Sequence, residues 1–208
     1  PMNVPLLLHV GRLDADKSVD NVIRAAGQTI RESEAHLLIV GDGKQKMKLI
    51  RLCREMGINE RVHFTGYIHP SKLPEIYRMA NIFVTASEIE TQGIVLLEAA
   101  ASGLPIVAVD ATCISEAVHD QVNGFLVRSG DTHRFSEALL TLINDPKGSC
   151  KMGMNGRTLV SEHGIQNTWR LHENLYREMG QQPKDQRTKK SVEWLPQWDF
   201  LKTLIGLE

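Results

Sequence analysis

Long apolar runs are missing from this chain of 208 residues. None approaches the roughly 20 consecutive apolar residues that a membrane-spanning helix needs. Cysteine is scarce: Cys53, Cys113 and Cys150 lie far apart and are odd in number. That argues against a disulfide framework and against a zinc knuckle, so a reducing, cytoplasmic setting is the expectation. No sign of charge dominates. The net charge of −1 gives no support for a nucleic-acid-binding surface at the level of the whole chain. The sequence also lacks a Gly-x-Gly-x-x-Gly run after its first strand and a Walker lysine motif, which weakens dinucleotide and ATP readings. The eight histidines are scattered without metal-ligand spacing, so no metal is expected.

What is present fits a soluble globular protein: 42% hydrophobic and 24% charged residues. The length suits one domain with an appendage, or two small domains. Val4 to Val10 is a short apolar run closed by Gly11, a buried-strand signal. Val19, Val22, Ile23, Ala26 and Ile30 recur at helical spacing. Further strands are predicted over 36–40, 62–65, 81–85, 104–109 and 124–127. Between them fall helical stripes: Leu49, Leu52, Cys53 and Met56, ended by Gly57; Leu73, Ile76 and Tyr77, with Ser71 as the expected cap; and a helix from Gly93 to about Ser102. Cys53 sits on an apolar stripe and is expected in the core.

Apolar strands that alternate with helices imply a parallel sheet covered on both faces. Right-handed crossovers then give a doubly wound, six-stranded, Rossmann-like α/β sheet, with ligands beyond the carboxyl ends of the strands. After the sixth strand the pattern is helical only. Asp131 is the expected cap of one helix, Asn144-Asp145-Pro146 its break, and further helices run to about 163 and from 167 to 179. The expected organisation is a domain over 1–179, a polar linker over 180–191 and a short C-terminal helix over 192–208 carrying Trp194 and Trp198.

Two constellations carry charge to the carboxyl edge. Gly11-Arg12-Leu13-Asp14-Ala15-Asp16-Lys17 follows the first strand. Arg12 offers a planar fork of donors and Lys17 a mobile point charge. Both can converge on a diphosphate, or both can be solvated cations paired to Asp14 or Asp16; spacing alone favours the second. Glu90 and Glu98 flank an apolar segment. On a regular helix they stand about 12 Å apart along the axis, too far for the two carboxyls of a retaining glycosidase at about 5–5.5 Å. They therefore suit separate hydroxyl-rich parts of one ligand, or simply the helix start for Glu90 and a half-buried cation pair for Glu98. Gly93 opens the helix, where free amides can meet an anion.

At these residues the sequence resembles a known family. Gly11-Arg12 with Lys17, Val40-Gly41-Asp42-Gly43, Phe64-Thr65-Gly66, Glu90 to Ala99, Ser102 to Ala108 and Asn123 to Val127 match in order and spacing the C-terminal, donor-binding domain of retaining GT-B glycosyltransferases, glycosyl transferases group 1. The resemblance covers residues 4 to about 179. It implies one half of a GT-B fold and transfer of a hexose from a nucleoside diphosphate sugar. By the same resemblance Arg12 and Lys17 would hold the departing diphosphate in place of a metal, helped by Gly93, Ile94 and Val95. Glu90 would bind hydroxyls of the transferred sugar and Glu98 the ribose. The turn at Gly11 and the segment Gly66, Tyr67 and Ile68 would complete the donor pocket. No cofactor is implied beyond the nucleotide-sugar donor.

Departures and absences qualify the match. Ala111 to Glu116 stands where the family has a Gly-Gly-x-x-Glu loop that approaches the sugar or diphosphate. Thr91-Gln92 replaces the commoner Pro-Phe and resembles a subset that includes glycolipid-forming transferases. The N-terminal acceptor half is absent from the sequence, and the closing Leu207-Glu208 matches the remnant a common expression vector leaves before a histidine tag. The expectation is the donor half of a longer enzyme, inactive alone, whose full-length form resembles proteins of the cytoplasm or the inner membrane face. The alternative is a non-catalytic nucleotide-binding module with a degenerate site; a nucleotide-sugar epimerase fits the motifs less well.

Overall fold

The computed structural model describes residues 4–89, 93–111, 114–161 and 164–181. The chain falls into two compact units, Pro1–Ser161 and Glu162–Glu208. The first holds β1 (Leu6–Val10), β2 (His36–Val40), β3 (Val62–Gly66), β4 (Ile82–Thr85), β5 (Ile106–Val109) and β6 (Gly124–Val127). All pairings are parallel and the spatial order is β3-β2-β1-β4-β5-β6. The expected doubly wound sheet is therefore present, with strand boundaries within two residues of those read from hydropathy.

Alternation along the strands builds a core on each face, because successive side chains point to opposite sides. On one face Leu7 and Ile39 pack with Val22, Ile23 and Ile30 of α1 (Val19–Glu32), Leu49 and Cys53 of α2 (Lys46–Glu55) and Phe135 and Leu139 of α6 (Thr132–Asn144). On the other, Leu8, Phe83 and Ile106 pack with Tyr77 of α3 (Leu73–Met79) and Leu96 and Ala99 of α4 (Ile94–Ala101). Each full burial of a large aliphatic side chain contributes about 1.5–3 kcal/mol. Burial pushes the Cys53 thiol up to about 11, so this cysteine is inert core, as its stripe predicts.

The short α5 (Ile114–Ala117) precedes β6. Asp131 accepts the amide of Arg134 and caps α6, and Asp145 accepts that of Gly148 and opens α7 (Pro146–Val160), as the breaker sequence implies. Ser71 is not a cap of the third helix. His69 Nδ1 accepts the Ser71 amide at 3.3 Å and starts a 3₁₀ turn over Pro70–Lys72, which leads into α3. A histidine can do what Ser or Asp usually does when its ring nitrogen carries a lone pair. The second unit contributes α8 (Ile165–Gln181), longer at both ends than the helix expected over 167–179. Residues 182–208, with the expected linker and tryptophan-bearing helix, lie outside the described residues. Among the described residues no helix is long and apolar enough to cross a membrane.

The strand order reverses between β1 and β4. From β1 the chain winds outward to β2 and β3, then returns to β4 on the other side. The loops leaving β1 and β4 thus part in opposite directions and open a crevice at the carboxyl edge of the sheet.

Candidate functional site

Backbone bonds fasten the strand ends that floor this crevice. The Gly11 amide donates to Val40 O at 3.0 Å, Leu13 to Asp42 O at 2.9 Å, Gln45 to Leu13 O at 2.8 Å and Gly41 to Gly66 O at 2.9 Å. The loops after β1, β2 and β3 are therefore one hydrogen-bonded layer. Its closeness requires glycine: Gly41 has φ 137°, and a Cβ there would stand 1.9 Å from Gly11 O. Leu13 is fully buried and anchors the first loop, so its neighbours Arg12 and Asp14 are carried outward.

Arg12 and Lys17 take different partners. The Arg12 guanidinium, 66% exposed, donates to Asp14 Oδ2 at 2.7 Å and Asp16 Oδ2 at 3.0 Å. Asp14 is fixed in turn, because its Oδ1 accepts the Lys44 amide at 3.1 Å. Arg12 thus adopts the acid-paired state that spacing favoured, although both acids belong to its own loop and the pair faces solvent. Lys17 closes the 3₁₀ turn Ala15–Lys17, and its Nζ donates to Ile89 O at 3.1 Å. Ser87 Oγ donates to the same carbonyl at 3.0 Å and lies 3.5 Å from Asp16 O. The lysine therefore spans the switch point from the β1 loop to the β4 loop.

The next residues, Glu90, Thr91 and Gln92, lie outside the described residues, as do Thr112 and Cys113. The chain resumes at Gly93, buried at φ 58° as the N-cap of α4, with no side chain capping the helix. Ile94 and Val95 open α4, so their amides have no carbonyl one turn back within it and are available to an anion. The helical spacing read for the Glu90–Glu98 interval is present over Ile94 to Glu98; its first end, Glu90, lies outside the described residues.

Glu98 follows one turn later and is half-buried. Among the described residues it is not paired to a cation. Its Oε2 accepts from the Tyr77 hydroxyl at 2.8 Å. Tyr77 is 2% exposed and packs against Phe83 with ring centroids 5.9 Å apart. Burial, then the hydrogen bond and charge of Glu98, push the phenol well above its ordinary range, so it remains a donor.

Gly66, at φ 73°, ends β3 and turns the chain into Tyr67 and Ile68. Tyr67 is 72% exposed, whereas Ile68 leans into the second core. Beside Gly66 stands an ion pair that motif reading passed over: Lys46 Nζ donates to Asp42 Oδ2 at 2.8 Å, and a Cβ on Gly66 would lie 3.6 Å from both. Lys46, then the Gly43 amide, hold the Asp42 carboxyl below the usual carboxylate range. The i, i+4 spacing of Asp42 and Lys46 was the available signal. His9 was also passed over. It is buried on β1, and its Nδ1 donates to Val84 O at 3.0 Å, joining β1 to β4 beneath the crevice. On the β4 loop, Ser129 Oγ donates to Glu88 Oε1, which links the ends of β4 and β6. Among the described residues no group of three or more His, Cys, Asp or Glu is placed to hold a metal ion.

The structure thus gathers Gly11 and Gly66 into a bonded layer, ties Lys17 of its first loop to the β4 loop, sets Arg12 at its solvent side, and places Gly93 at the start and Ile94, Val95 and Glu98 on the helix that follows β4. Such an edge offers two cations, free amides and an oriented carboxylate to a ligand that is anionic at one end and hydroxylated nearby.

Comparison with known proteins gives the following. The profile of the family "Glycosyl transferases group 1" matches residues 1–159. The chain is 36% identical over 158 residues to the D-inositol 3-phosphate glycosyltransferase of Nocardia farcinica, covering 72% of this chain and 35% of that one. HepE of Anabaena, solved in complex with UDP-glucose, superposes with a TM-score of 0.76 at 25% identity, over 84% of this chain and 49% of HepE. The C-terminal domain of LpcC from Francisella tularensis, a glycosyl transferase group 1 family protein, superposes with a TM-score of 0.71 at 27% identity, over 78% of this chain and 89% of that domain. The chain spans less than half the length of the curated relatives it matches.

Proposed function

The chain belongs to the glycosyl transferases group 1 family, and from that premise we propose that it is the donor-binding half of a retaining, nucleotide-sugar-dependent hexosyltransferase. The observation that carries this reading is the Lys17 bridge to Ile89 across the switch point, beside the uncapped start of α4. A diphosphate seated there meets a lysine from one loop and helix amides from the other. Arg12 exchanges its two carboxylates for phosphate oxygens. In the transfer, the bond from the sugar's anomeric carbon to the diphosphate breaks and the diphosphate keeps the electron pair. The acceptor hydroxyl bonds to that carbon on the same face and passes its proton to the departing diphosphate. Arg12, Lys17 and the amides of Ile94 and Val95 stabilise the charge left on the leaving group, the service a metal ion supplies elsewhere. Glu90 holds hydroxyls of the sugar, Glu98 those of the ribose, and the turn Gly66 to Ile68 meets the base.

The acceptor half belongs to a longer chain, in keeping with the fraction of each relative that is spanned. Transfer then requires that half, and the isolated chain binds donor without turning it over. The full-length protein works in the cytoplasm, and its acceptor decides whether it does so at the membrane face. One observation favours the second reading, a nucleotide-binding module without transfer: the double engagement of Arg12 by Asp14 and Asp16.

The experiment is a thermal-shift panel of UDP, GDP and ADP on the wild-type chain and on Lys17→Ala. One nucleoside diphosphate should raise the wild-type Tm and leave the variant unmoved. Equal protection of both proteins would remove Lys17 from the site and the reading with it.

A further inference from the structure

Tyr77 has no place in the family motifs set out above, yet it makes the one hydrogen bond that described residues give to the Glu98 carboxylate. The tyrosine sits in the middle of α3 and the glutamate in the middle of α4, 21 residues apart in sequence. A buried hydroxyl needs a partner, since burial without one costs much of its lost hydration. A more ordinary partner is close at hand: Val95 O lies 3.5 Å away, but the hydroxyl is 2.8 Å from the Glu98 carboxylate. The ring cannot follow its partner elsewhere, because it is wedged against Phe83 of β4. A rigid, neutral donor on the protein side thus takes Oε2. The half-buried carboxylate is left with Oε1 to offer outward.

We propose that Tyr77 is a positioning residue that sets the rotamer of Glu98, so that its second oxygen meets a vicinal hydroxyl pair of the bound nucleotide's ribose. The inference rests on the donor-site reading and adds to it the group that supplies discrimination between ribo- and deoxyribonucleotides. A glutamate has three rotatable bonds, and a ligand that must order them itself binds more weakly. A phenol locked by packing removes that ordering before the ligand arrives. A charged donor such as lysine would also hold the carboxylate but would neutralise it. The phenol leaves the full negative charge for the ribose hydroxyls, and hydrogen bonds to an ionised acceptor are the stronger kind.

The test is titration of four proteins, wild type, Tyr77→Phe, Glu98→Gln and the double variant. The probe is whichever of UDP, GDP and ADP binds the wild type, alongside its 2′-deoxy counterpart. Phe keeps the ring packing, and far-UV circular dichroism with a melt of each free protein checks the fold. Wild type should prefer the ribonucleotide. Tyr77→Phe should weaken ribonucleotide binding about five- to tenfold, the size of one ordinary net hydrogen bond, and should affect the deoxynucleotide less, so that the preference collapses. In the Glu98→Gln background the same change should have little further effect, because the tyrosine acts through the carboxylate. An unchanged preference in Tyr77→Phe, or equal losses for both nucleotides, would overturn the inference and leave the donor-site reading standing. Binding of none of the three nucleotides by the wild type overturns the donor-site reading, and the role of Tyr77 falls with it.

Discussion

Lys17 reaches across the switch point to Ile89: its Nζ donates to the Ile89 carbonyl at 3.1 Å, although the two residues are 72 apart in sequence. The bond sets the distance between the loops that leave β1 and β4. It is an exposed bond to a neutral acceptor, so its share of stability is small, about 0.5–1.5 kcal/mol. Lys17→Ala should therefore shift a urea unfolding midpoint only slightly while removing protection by a nucleoside diphosphate. A large loss of stability in the free protein would make Lys17 a structural clamp rather than a ligand group.

Arg12 must leave two carboxylates to meet a phosphate; Asp14 also holds the Lys44 amide, whereas among the described residues the Asp16 side chain holds the arginine alone. Exposed pairs of this kind contribute about 0.2–1 kcal/mol. Asp16→Asn should tighten nucleoside diphosphate binding about two- to fivefold and make it less sensitive to added salt at the low end of the range. Calorimetric titration at two ionic strengths reads both effects. Weaker binding would mean that Asp16 orients the arginine instead of competing for it.

Gly41 and Gly57 both have positive φ, yet they should respond differently to alanine. At Gly41 a Cβ would stand 1.9 Å from Gly11 O, whereas at Gly57 nothing lies within 4 Å. Gly57→Ala should cost about 1–2 kcal/mol from backbone strain alone. Gly41→Ala should cost about 2–4 kcal/mol and displace the Gly11 turn, so that nucleotide protection disappears as well. Urea melts of the two variants check the order.

His36 and His63 stack with ring centroids 5.1 Å apart, and His36 Nδ1 lies 2.8 Å from His63 Nε2. Burial, then the charges of His63 and Arg61, lower the pKa of His36, while Glu34 opposes them. A histidine with a lowered folded-state pKa binds protons less readily than the unfolded chain does. Its contribution is full above the ordinary value of about 6.5 and is lost as the pH falls from there through the folded value. The urea midpoint should fall between about pH 7 and pH 5, and His36→Gln should flatten that slope. A slope unchanged in the variant would assign the titration to another group.

The elements of the fold were legible because their signals are local. His36–Val40 and Gly124–Val127 coincide with their hydropathy runs, and the Val19, Val22, Ile23, Ala26, Ile30 stripe is the buried face of α1. Asp131 and the Asp145-Pro146 break declared their helices by chemistry that acts within one turn. Reading the sheet as parallel and doubly wound followed from alternation, and it put the charged loops at the correct edge. His69 escaped notice as a cap because histidine is a rare one, and Ser71 stood where an ordinary one was expected.

The sequence by itself determined which residues stand at the carboxyl edge, since motif spacing and hydrophobic period are properties of short stretches of chain. Tertiary structure alone decided which atoms they meet. Lys17 on Ile89, Tyr77 on Glu98 and His9 on Val84 join residues 72, 21 and 75 apart. A hydrogen bond exists only within about 3 Å and a narrow range of angles, and only the packing of α3, α4 and the strands fixes separations on that scale.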